Sequence, residues 1–199
     1  MASSMKAIQI KSTGGVEVLE HVTIERPKIT GPTDVLVKNH FAGVNFIDKY
    51  HRTGLFTLSL PAVLGQEGAG VVEAVGEDNV AKIPDGFDLK LAAASLLQGL
   101  TSLVLVTQSY EVKKGDWIFI YAAAGGCGFL LVQLVKNCGA HVIGTVSNDE
   151  KAKLVISAGA EHVINYSTQN VVEEVMRITD NKGVHAVFDG VGKDTFEPL

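Results

Sequence analysis

The sequence is poor in cysteine. Its 199 residues include two, Cys127 and Cys138, which are too few for a disulfide scaffold or for a zinc site with four cysteine ligands. Two cysteines without such a framework are typical of reduced, packed thiols, and we expect both in that state. The N-terminal residues include no apolar stretch long enough for a secretory signal peptide, so we expect a cytoplasmic protein.

An excess of positive charge is also missing. The formal net charge is −5, with charged residues at 20% and hydrophobic residues at 46% of the sequence. This composition is typical of a soluble globular protein and excludes extended disorder. Because it gives no general field that would attract nucleic acid, any contact with phosphate has to come from local groups.

One long segment, residues 91–110, carries no charged residue over about the length of a membrane span. The same segment contains serine, threonine, glutamine and glycine, which makes it too polar for a membrane-spanning helix. We therefore predict a buried helix, or a pair of helices broken near Gly99, and no contact with a membrane.

The second half of the sequence alternates strands with helices. Short apolar segments at residues 117–121, 141–146, 162–165 and 184–189 predict strands, and residues 129–137, 147–159 and 167–178 predict helices. At the start of the second helix, Ser147 and Glu150 have the spacing of a capping box. This alternation predicts a parallel sheet with right-handed crossovers. A full dinucleotide-binding fold has six strands, so we expect the sequence to stop within that domain.

The first half has a different organisation. Residues 5–10, 16–24, 34–41 and 67–75 predict strands, residues 46–52 predict a short helix, and Gly14-Gly15 and Gly31-Pro32 predict turns. This mostly β segment lacks the strand–helix alternation of the second half. We therefore predict two domains, residues 1–84 and residues 85–199.

A glycine-rich turn, Ala123-Ala124-Gly125-Gly126-Cys127-Gly128, joins the first predicted parallel strand to its helix. In that context Gly125 lets the backbone approach a pyrophosphate, and Gly128 lets the helix pack closely on the strand. The helix N-terminus adds free N–H groups and the positive end of a dipole. The turn predicts a dinucleotide site formed by Ala124, Gly125, Gly126, Cys127 and Gly128. A tight turn without a ligand is the alternative.

The end of the second parallel strand indicates which dinucleotide is bound. NAD sites place a carboxylate about 20 residues beyond the glycines to hold the ribose 2′-hydroxyl, whereas this sequence has Val146-Ser147-Asn148 there. Ser147 and Lys151 suit a 2′-phosphate, which predicts NADPH as the cofactor. The alternatives are that Ser147 only caps a helix and that Lys151 is a solvated surface lysine, and Asp149 is near enough to weaken the argument.

These residues resemble the zeta-crystallin-type quinone oxidoreductases of the medium-chain dehydrogenase/reductase superfamily. The resemblance extends along essentially the whole chain and is most specific at Gly115-Asp116, the glycine turn, and Gln133 with Lys136, although Phe119 replaces the usual leucine. Other similar segments are Gly43-Val44-Asn45-Phe46-Ile47-Asp48, Leu97-Gln98-Gly99-Leu100-Thr101 and Asp189-Gly190-Val191-Gly192.

The resemblance implies an α/β protein in which a GroES-like, mostly β catalytic domain precedes a Rossmann NADPH-binding domain. Zinc-dependent relatives bind their catalytic metal through a cysteine and the histidine of a Gly-His-Glu motif. Here Asn45 and Gly65-Gln66-Glu67 stand at those positions. Neutral amides are poor zinc ligands, so we expect a protein without a catalytic metal.

Individual site residues are also implied by the resemblance. Asn45, Asp48 and Tyr50 would line the substrate cleft, with Tyr50 or a water donating a hydrogen bond to a quinone oxygen, and Gln66 would lie near the vacated metal position. In the cofactor site, Thr101 would reach the nicotinamide end, Tyr166 would pack near the 2′-phosphate, and Gly190 would belong to the dinucleotide site. Asp48 in a helix salt bridge and Tyr50 as a core aromatic are the alternatives. Phe56 replaces a tyrosine of the family and keeps the capacity to stack on a quinone ring.

The family has further residues between Val80 and Ala81 and beyond Leu199, so we expect the sequence to be a part of a longer protein, with a short variant as the alternative. The implied activity is metal-free hydride transfer from NADPH to a small quinone by a homodimeric enzyme. One alternative is an NADPH-dependent reductase of α,β-unsaturated carbonyls such as alkenals and enones. Another is a non-enzymatic nucleotide- or RNA-binding protein on the same scaffold, which the acidic balance disfavours.

Overall fold

The computed structural model describes residues 4–31, 34–75, 83–192 and 195. The chain divides into two compact units, Met1–Leu96 and Leu97–Leu199. The expected gap between Val80 and Ala81 lies outside the described residues, as does Pro32 of a predicted turn. The domain boundary between residues 84 and 85 stays a prediction, since the division between the units falls inside a helix.

The N-terminal unit contains two small antiparallel sheets. Its strands are β1 (Ser4–Ile10), β2 (Glu20–Glu25), β3 (Val35–Gly43), β4 (Ala62–Val63) and β5 (Glu67–Val75). β1 lies between β2 and β4, and β3 pairs with β5. The strand predicted from residue 16 begins later, because Val16–Val18 form a 3₁₀ turn. The mostly β character predicted for this half is confirmed.

A short helix, α1 (Phe46–Thr53), carries Asp48 and Tyr50 of the predicted substrate residues. Asn45 precedes it in an extended conformation, and Gly54 ends it with a left-handed φ of 82°. That conformation favours glycine, which has no Cβ to clash. The helix predicted at residues 46–52 is therefore confirmed almost to the residue.

The C-terminal unit contains the predicted parallel sheet. Its strands are β6 (Trp117–Ile120), β7 (His141–Val146), β8 (His162–Asn165) and β9 (Ala186–Phe188), in the order β8-β7-β6-β9. The connecting helices are α3 (Gly126–Asn137), α4 (Asp149–Ser157) and α5 (Val171–Ile178). All three strand pairs are parallel, as the alternation of strands and helices predicted.

Alternate residues of each strand face opposite sides of this sheet, because successive side chains of a strand point in opposite directions. Ile118 and Ile120 of β6 belong to the cluster formed with α3 and α4. Phe119 and Tyr121 belong to a second cluster, against which the apolar side chains of α5 pack. Both faces are covered, which explains why the strands are almost wholly apolar.

Two helix starts differ from the prediction. Asn148, not Ser147, caps α4, and its Oδ1 accepts the backbone N–H of Lys151 at 2.9 Å. The capping box predicted from Ser147 and Glu150 was therefore wrong by one residue. Helix α5 starts at Val171 instead of residue 167, because the Asn170 side chain caps it.

Helix α2 (Leu89–Val104) continues as a π-helical turn, Leu105–Ser109, without a break at Gly99. The prediction of a buried helix was wrong for the described residues, since Leu91, Leu96 and Leu100 are each more than half exposed. By length and composition Leu89–Ser109 could cross a membrane, with a mean hydropathy of 1.7. Core helices of soluble proteins have the same composition, so this single helix is weak support for a membrane span.

Cys138, which we expected to be packed, is exposed at the end of α3.

A group of charged and aromatic side chains lies at the amino ends of the parallel strands. Glu161 accepts hydrogen bonds from Lys136 Nζ at 2.9 Å and His141 Nδ1 at 2.7 Å. These bonds hold the pKa of Glu161 below its ordinary value of 4.5. The Trp117 indole stacks on the His141 ring with 4.5 Å between centroids. The group lies at the opposite end of the strands from the glycine turn.

Candidate functional site

The glycine turn is held in a fixed shape by β7. Thr145, which is fully buried, accepts the Ala122 N–H through its Oγ1 at 3.2 Å and the Ala123 N–H through its backbone oxygen at 3.0 Å. Ala122 adopts a φ of +49°, a region that L-residues rarely occupy. These contacts fix where the chain leaves β6 and enters α3.

Gly128 is required by the packing between α3 and this turn. A Cβ added there would lie 2.4 Å from the Ala122 carbonyl oxygen and 2.8 Å from Ala123 Cα. Both atoms belong to the backbone, so neither can move aside as a flexible side chain would. The role predicted for Gly128, close packing of helix on strand, agrees with this geometry.

The N-terminus of α3 can receive an anion. Gly125 precedes the helix and accepts the Phe129 N–H at 2.8 Å. Helix geometry leaves the N–H groups of the first turn, from Gly126 to Gly128, without helical acceptors. Since Gly125 and Gly126 carry no side chain, a pyrophosphate can approach these groups directly. The turn therefore fits a dinucleotide phosphate.

Two residues behind the glycine turn were not identified from the sequence. Ser102 of α2 is fully buried and donates through its Oγ to the Cys127 carbonyl oxygen at 3.2 Å. The Gln98 side chain lies against Gly126, whose added Cβ would be 3.2 Å from Gln98 Cγ. Burial raises the pKa of the Cys127 thiol, so it stays protonated near neutral pH. Thr101, the predicted nicotinamide contact, is exposed on α2 beside Ser102.

The structure brings Ser147 and Lys151 together at the end of β7. Lys151 Nζ donates to Ser147 Oγ at 3.0 Å, and both side chains are accessible. Because Asn148 caps the helix, the Ser147 hydroxyl is free of that task. Asp149 Oδ1 accepts the Asn165 Nδ2–H at 3.1 Å. The end of this strand thus presents a hydroxyl and an ammonium group side by side.

A cavity of about 500 Å³ opens beside this position in the C-terminal unit. Its volume lies within the range of small-molecule sites. Tyr166, the predicted neighbour of the 2′-phosphate, is half exposed and contributes to the wall. The residues that line the cavity are Tyr121, Ala122, Thr145, Tyr166, Asn170, Val171, Val172, Val191 and Thr195.

Asp189 shapes one side of this cavity. Its Oδ1 accepts the N–H groups of Val191 and Gly192 at 2.8 and 3.1 Å, and its Oδ2 accepts the Thr195 hydroxyl at 2.7 Å. Burial opposes ionisation, but these hydrogen bonds hold the pKa of Asp189 below its ordinary value. Gly190, the predicted cofactor contact, is exposed, and a Cβ added there would meet nothing within 4 Å.

In the N-terminal unit, one face of α1 carries a polar row that consists of Asn45, Asp48 and His51. Residues three apart share a face of a helix, and each member of the row contacts a residue just before or at the start of β5. Asn45 Nδ2 donates to Glu67 Oε2 at 3.0 Å, the Gly65 N–H donates to Asp48 Oδ1 at 3.2 Å, and Gln66 Nε2 lies 3.1 Å from His51 Nε2.

Asp48 therefore has a clear local role. Its Oδ2 also accepts the Asn45 backbone N–H at 2.9 Å, so both carboxylate oxygens bind backbone N–H groups. This is the N-terminal bonding pattern of a capping box. Gly65 adopts a φ of +106°, which favours glycine, and the Asp48 bond holds the chain in that turn.

The side of α1 next to the polar row is aromatic. Tyr50 makes edge-to-face contacts with Phe46 and Phe56, at 5.6 and 5.4 Å between ring centroids. Phe46 is 67% exposed and Phe56 is 46% exposed. Exposed aromatic rings next to polar groups can bind a planar, polar-edged ligand by stacking. The predicted substrate residues Asn45, Tyr50 and Gln66 therefore lie around one short helix.

His51 was not identified from the sequence. Because the Gln66 amide nitrogen faces the ring and can only donate, His51 Nε2 is the acceptor of this contact. Nδ1 is buried and has no hydrogen-bond partner among the described residues. An unpaired buried polar group costs about 1–3 kcal/mol. The position of His51 on the same helical face as Asn45 and Asp48 is the signal that could have identified it.

The donor set around α1 does not fit a catalytic zinc. The two positions that hold metal ligands in zinc-dependent relatives carry Asn45 and Gln66, whose amides already engage Glu67 and His51. Zinc prefers thiolate, imidazole and carboxylate ligands in a tetrahedral arrangement. Within residues 4–31, 34–75, 83–192 and 195, no three His, Cys, Asp or Glu side chains are grouped to hold a metal ion.

Each of the two units matches a family of known proteins. Residues 31–90 match the family described as "Alcohol dehydrogenase GroES-like domain", and residues 126–199 match "Zinc-binding dehydrogenase". The first of these confirms the GroES-like unit and the second the Rossmann unit that the sequence predicted.

The chain is 41% identical to a quinone oxidoreductase of Pseudomonas aeruginosa, an alignment that covers 96% of this chain and 68% of that protein. It is 38% identical to a 2-haloacrylate reductase of a Burkholderia species, with 96% and 68% covered. The structure of Escherichia coli quinone oxidoreductase complexed with NADPH superposes with a TM-score of 0.92 at 36% identity, over 97% of this chain and 68% of that one.

The chain thus spans about two thirds of the length of each of these proteins. A sequence identity of 41% over 68% of the relative's length is high enough to assign the chain to that relative's family. The pairing of a GroES-like unit with a Rossmann unit is typical of the medium-chain dehydrogenase/reductase superfamily. The chain belongs to the quinone oxidoreductases of the medium-chain dehydrogenase/reductase superfamily.

Proposed function

We propose that the chain forms the cofactor site and much of the substrate site of an NADPH:quinone oxidoreductase. One observation carries this proposal: the glycine turn at Gly125–Gly128 stands beside a strand end that offers the Ser147 hydroxyl and the Lys151 ammonium group, while the nearby Asp149 carboxylate accepts a hydrogen bond from Asn165. The quinone oxidoreductase relatives, one of them complexed with NADPH, support it.

The cofactor specificity follows from charge. A 2′-phosphate carries negative charge and oxygen acceptors, which suit an ammonium and a hydroxyl group. A ribose 2′-hydroxyl gains less from the same pair, because it carries no charge for the ammonium group to neutralise. NADPH is therefore bound in preference to NADH, with Tyr166 beside the phosphate and the cavity at Val171 and Val191 next to it.

Bound NADPH supplies a hydride to the quinone, and one proton completes the hydroquinone. This chain's residues hold and shelter the acceptor. Phe46 and Phe56 stack on the quinone ring, and the Tyr50 hydroxyl donates a hydrogen bond to one quinone oxygen. Asn45 and Gln66 supply the amides that border the same pocket. Because a quinone becomes aromatic on reduction, positioning replaces a metal as the main contribution.

The experiment is a turnover panel with the complete gene product. NADPH oxidation is followed with small quinones, with alkenals and enones, and with no acceptor. We expect the highest kcat/KM for quinones, and much slower reaction with NADH. Faster reduction of alkenals or enones than of every quinone would reassign the enzyme to the unsaturated carbonyls, a class suggested by the 2-haloacrylate reductase relative.

Three further properties belong to the same proposal. The enzyme is a homodimer, is cytoplasmic and needs no metal ion. Sedimentation equilibrium of the complete gene product measures the first, cell fractionation the second, and elemental analysis of active protein the third. A filter-binding assay with RNA, in which NADPH competes, tests the non-enzymatic alternative. Salt-resistant RNA binding without quinone turnover would favour that alternative.

A further inference from the structure

The polar row of α1 contacts the three successive residues Gly65, Gln66 and Glu67. Some of these contacts are with the backbone and others are with a side chain. Asp48 binds the backbone N–H of Gly65, whereas His51 binds the side-chain amide of Gln66. Among the described residues, this is the hydrogen bond that fixes the Gln66 side chain, which is otherwise exposed. A free glutamine side chain samples many rotamers, so the contact with His51 decides where its amide lies.

We propose that His51 is a positioning residue for quinone reduction, acting through Gln66; this inference rests on the proposed quinone reductase function. The Gln66 amide has two N–H groups. One donates to His51 Nε2, which leaves the second for a carbonyl oxygen outside the protein. A quinone oxygen only accepts hydrogen bonds, so an oriented N–H is the end of the amide that it needs.

This N–H group affects the rate of hydride transfer because negative charge develops on the quinone oxygens during that step. During hydride transfer the quinone oxygens gain negative charge, and a donor already in place stabilises that charge without reorganising. His51 itself touches neither cofactor nor acceptor in this arrangement. Its contribution is therefore expected in kcat more than in the binding of NADPH, whose predicted contacts lie in the C-terminal unit.

The aromatic contacts of His51 allow a matched pair of variants. Its ring meets Phe56 edge-on, with 6.0 Å between centroids. His51→Phe keeps a ring in that place and removes the accepting nitrogen. His51→Gln loses the ring and places a side-chain oxygen where it can accept the Gln66 N–H. The two variants separate loss of packing from loss of the hydrogen bond.

The test is made on the complete gene product with a small quinone and NADPH. We expect His51→Phe to lower kcat about five- to tenfold, the effect of one lost hydrogen bond, with the Kd for NADPH and the melting temperature near wild type. His51→Gln should restore most of kcat. Gln66→Met, which leaves α1 unchanged, should reproduce the loss, and adding His51→Phe to it should have no further effect.

Wild-type kcat in His51→Phe would overturn the proposal. So would equal loss in His51→Gln and His51→Phe, or losses that multiply in the double variant, since each would show that His51 does not act through Gln66. If His51→Phe melts early, the Gln66→Met variant decides, and an unchanged kcat there would overturn it as well. No quinone turnover by the wild-type protein would contradict the proposed function, and this inference with it.

Discussion

Replacement of Lys151 by alanine removes the ammonium group that we assign to the 2′-phosphate, and so tests the preference for NADPH over NADH. Lys151 Nζ donates to Ser147 Oγ at 3.0 Å, so the ammonium group already lies beside the position where the 2′-phosphate is expected. The backbone N–H of Lys151 binds the Asn148 side chain, and alanine keeps that N–H. The substitution therefore removes the charge without removing the helix cap.

The expected loss can be estimated from this environment. A charge-assisted hydrogen bond contributes about 1.5–3 kcal/mol, but solvent screens an exposed lysine, which favours the lower end of that range. We expect NADPH binding to weaken by about 1.5 kcal/mol, which is about tenfold in Kd. NADH lacks the 2′-phosphate, so its Kd should stay within about twofold.

Lys153 provides the control, because it is an exposed lysine on the same helix whose substitution removes the same formal charge. Isothermal titration of the complete gene product gives Kd for both cofactors in wild type, Lys151→Ala and Lys153→Ala. The difference between wild type and Lys151→Ala should also shrink as salt is raised. Equal weakening of NADPH and NADH binding in Lys151→Ala, or equal effects of the two lysine variants, would refute the assignment.

Three further outcomes follow from the structure. Gly128→Ala places a Cβ 2.4 Å from a backbone oxygen, so we expect it to destabilise the C-terminal unit by about 1–3 kcal/mol and to abolish NADPH binding in titration. Glu161→Gln should lower the melting temperature at pH 7, and its difference from wild type should shrink as the pH falls below 4.5: a depressed folded-state pKa stabilises the fold above the ordinary value of 4.5, and the effect is lost as the pH falls through the folded pKa. Active protein should contain no stoichiometric zinc by elemental analysis, and a loss of turnover with a chelator that Zn²⁺ restores would contradict the choice of amides over metal ligands.

The residues next to the cofactor site show where sequence reasoning succeeds. The turn at Gly125–Gly128 is local: a strand, a short glycine-rich segment and a helix follow each other, so their geometry is encoded in one continuous stretch. Ser147 and Lys151 are also close in sequence, and a helical turn brings them together. The error of one residue at the helix cap arose because Ser147 and Asn148 are both good caps, and only the structure shows which one accepts an N–H.

The supporting residues were beyond the reach of a local pattern. Ser102 and Thr145 stabilise the glycine turn from another helix and another strand, 25 and 23 residues away from their partners. Nothing in either neighbourhood marks a buried serine or threonine as a support. The same is true of His51, whose partner Gln66 lies 15 residues further along the chain.

The sequence by itself determined the alternation of strands and helices and the glycine turn, because both depend on residue type and short-range spacing. The amides at the two metal positions were implied by the resemblance to the family. Burial and pairing were decided by the tertiary structure. Helix α2 has the composition of a core helix, yet in the described residues its leucines are largely exposed, since composition does not specify which neighbours cover a helix. The polar row of α1 likewise becomes a site only when the chain returns through β4 and sets Gly65, Gln66 and Glu67 against it. The free energy of that contact depends on distances that a linear pattern does not contain.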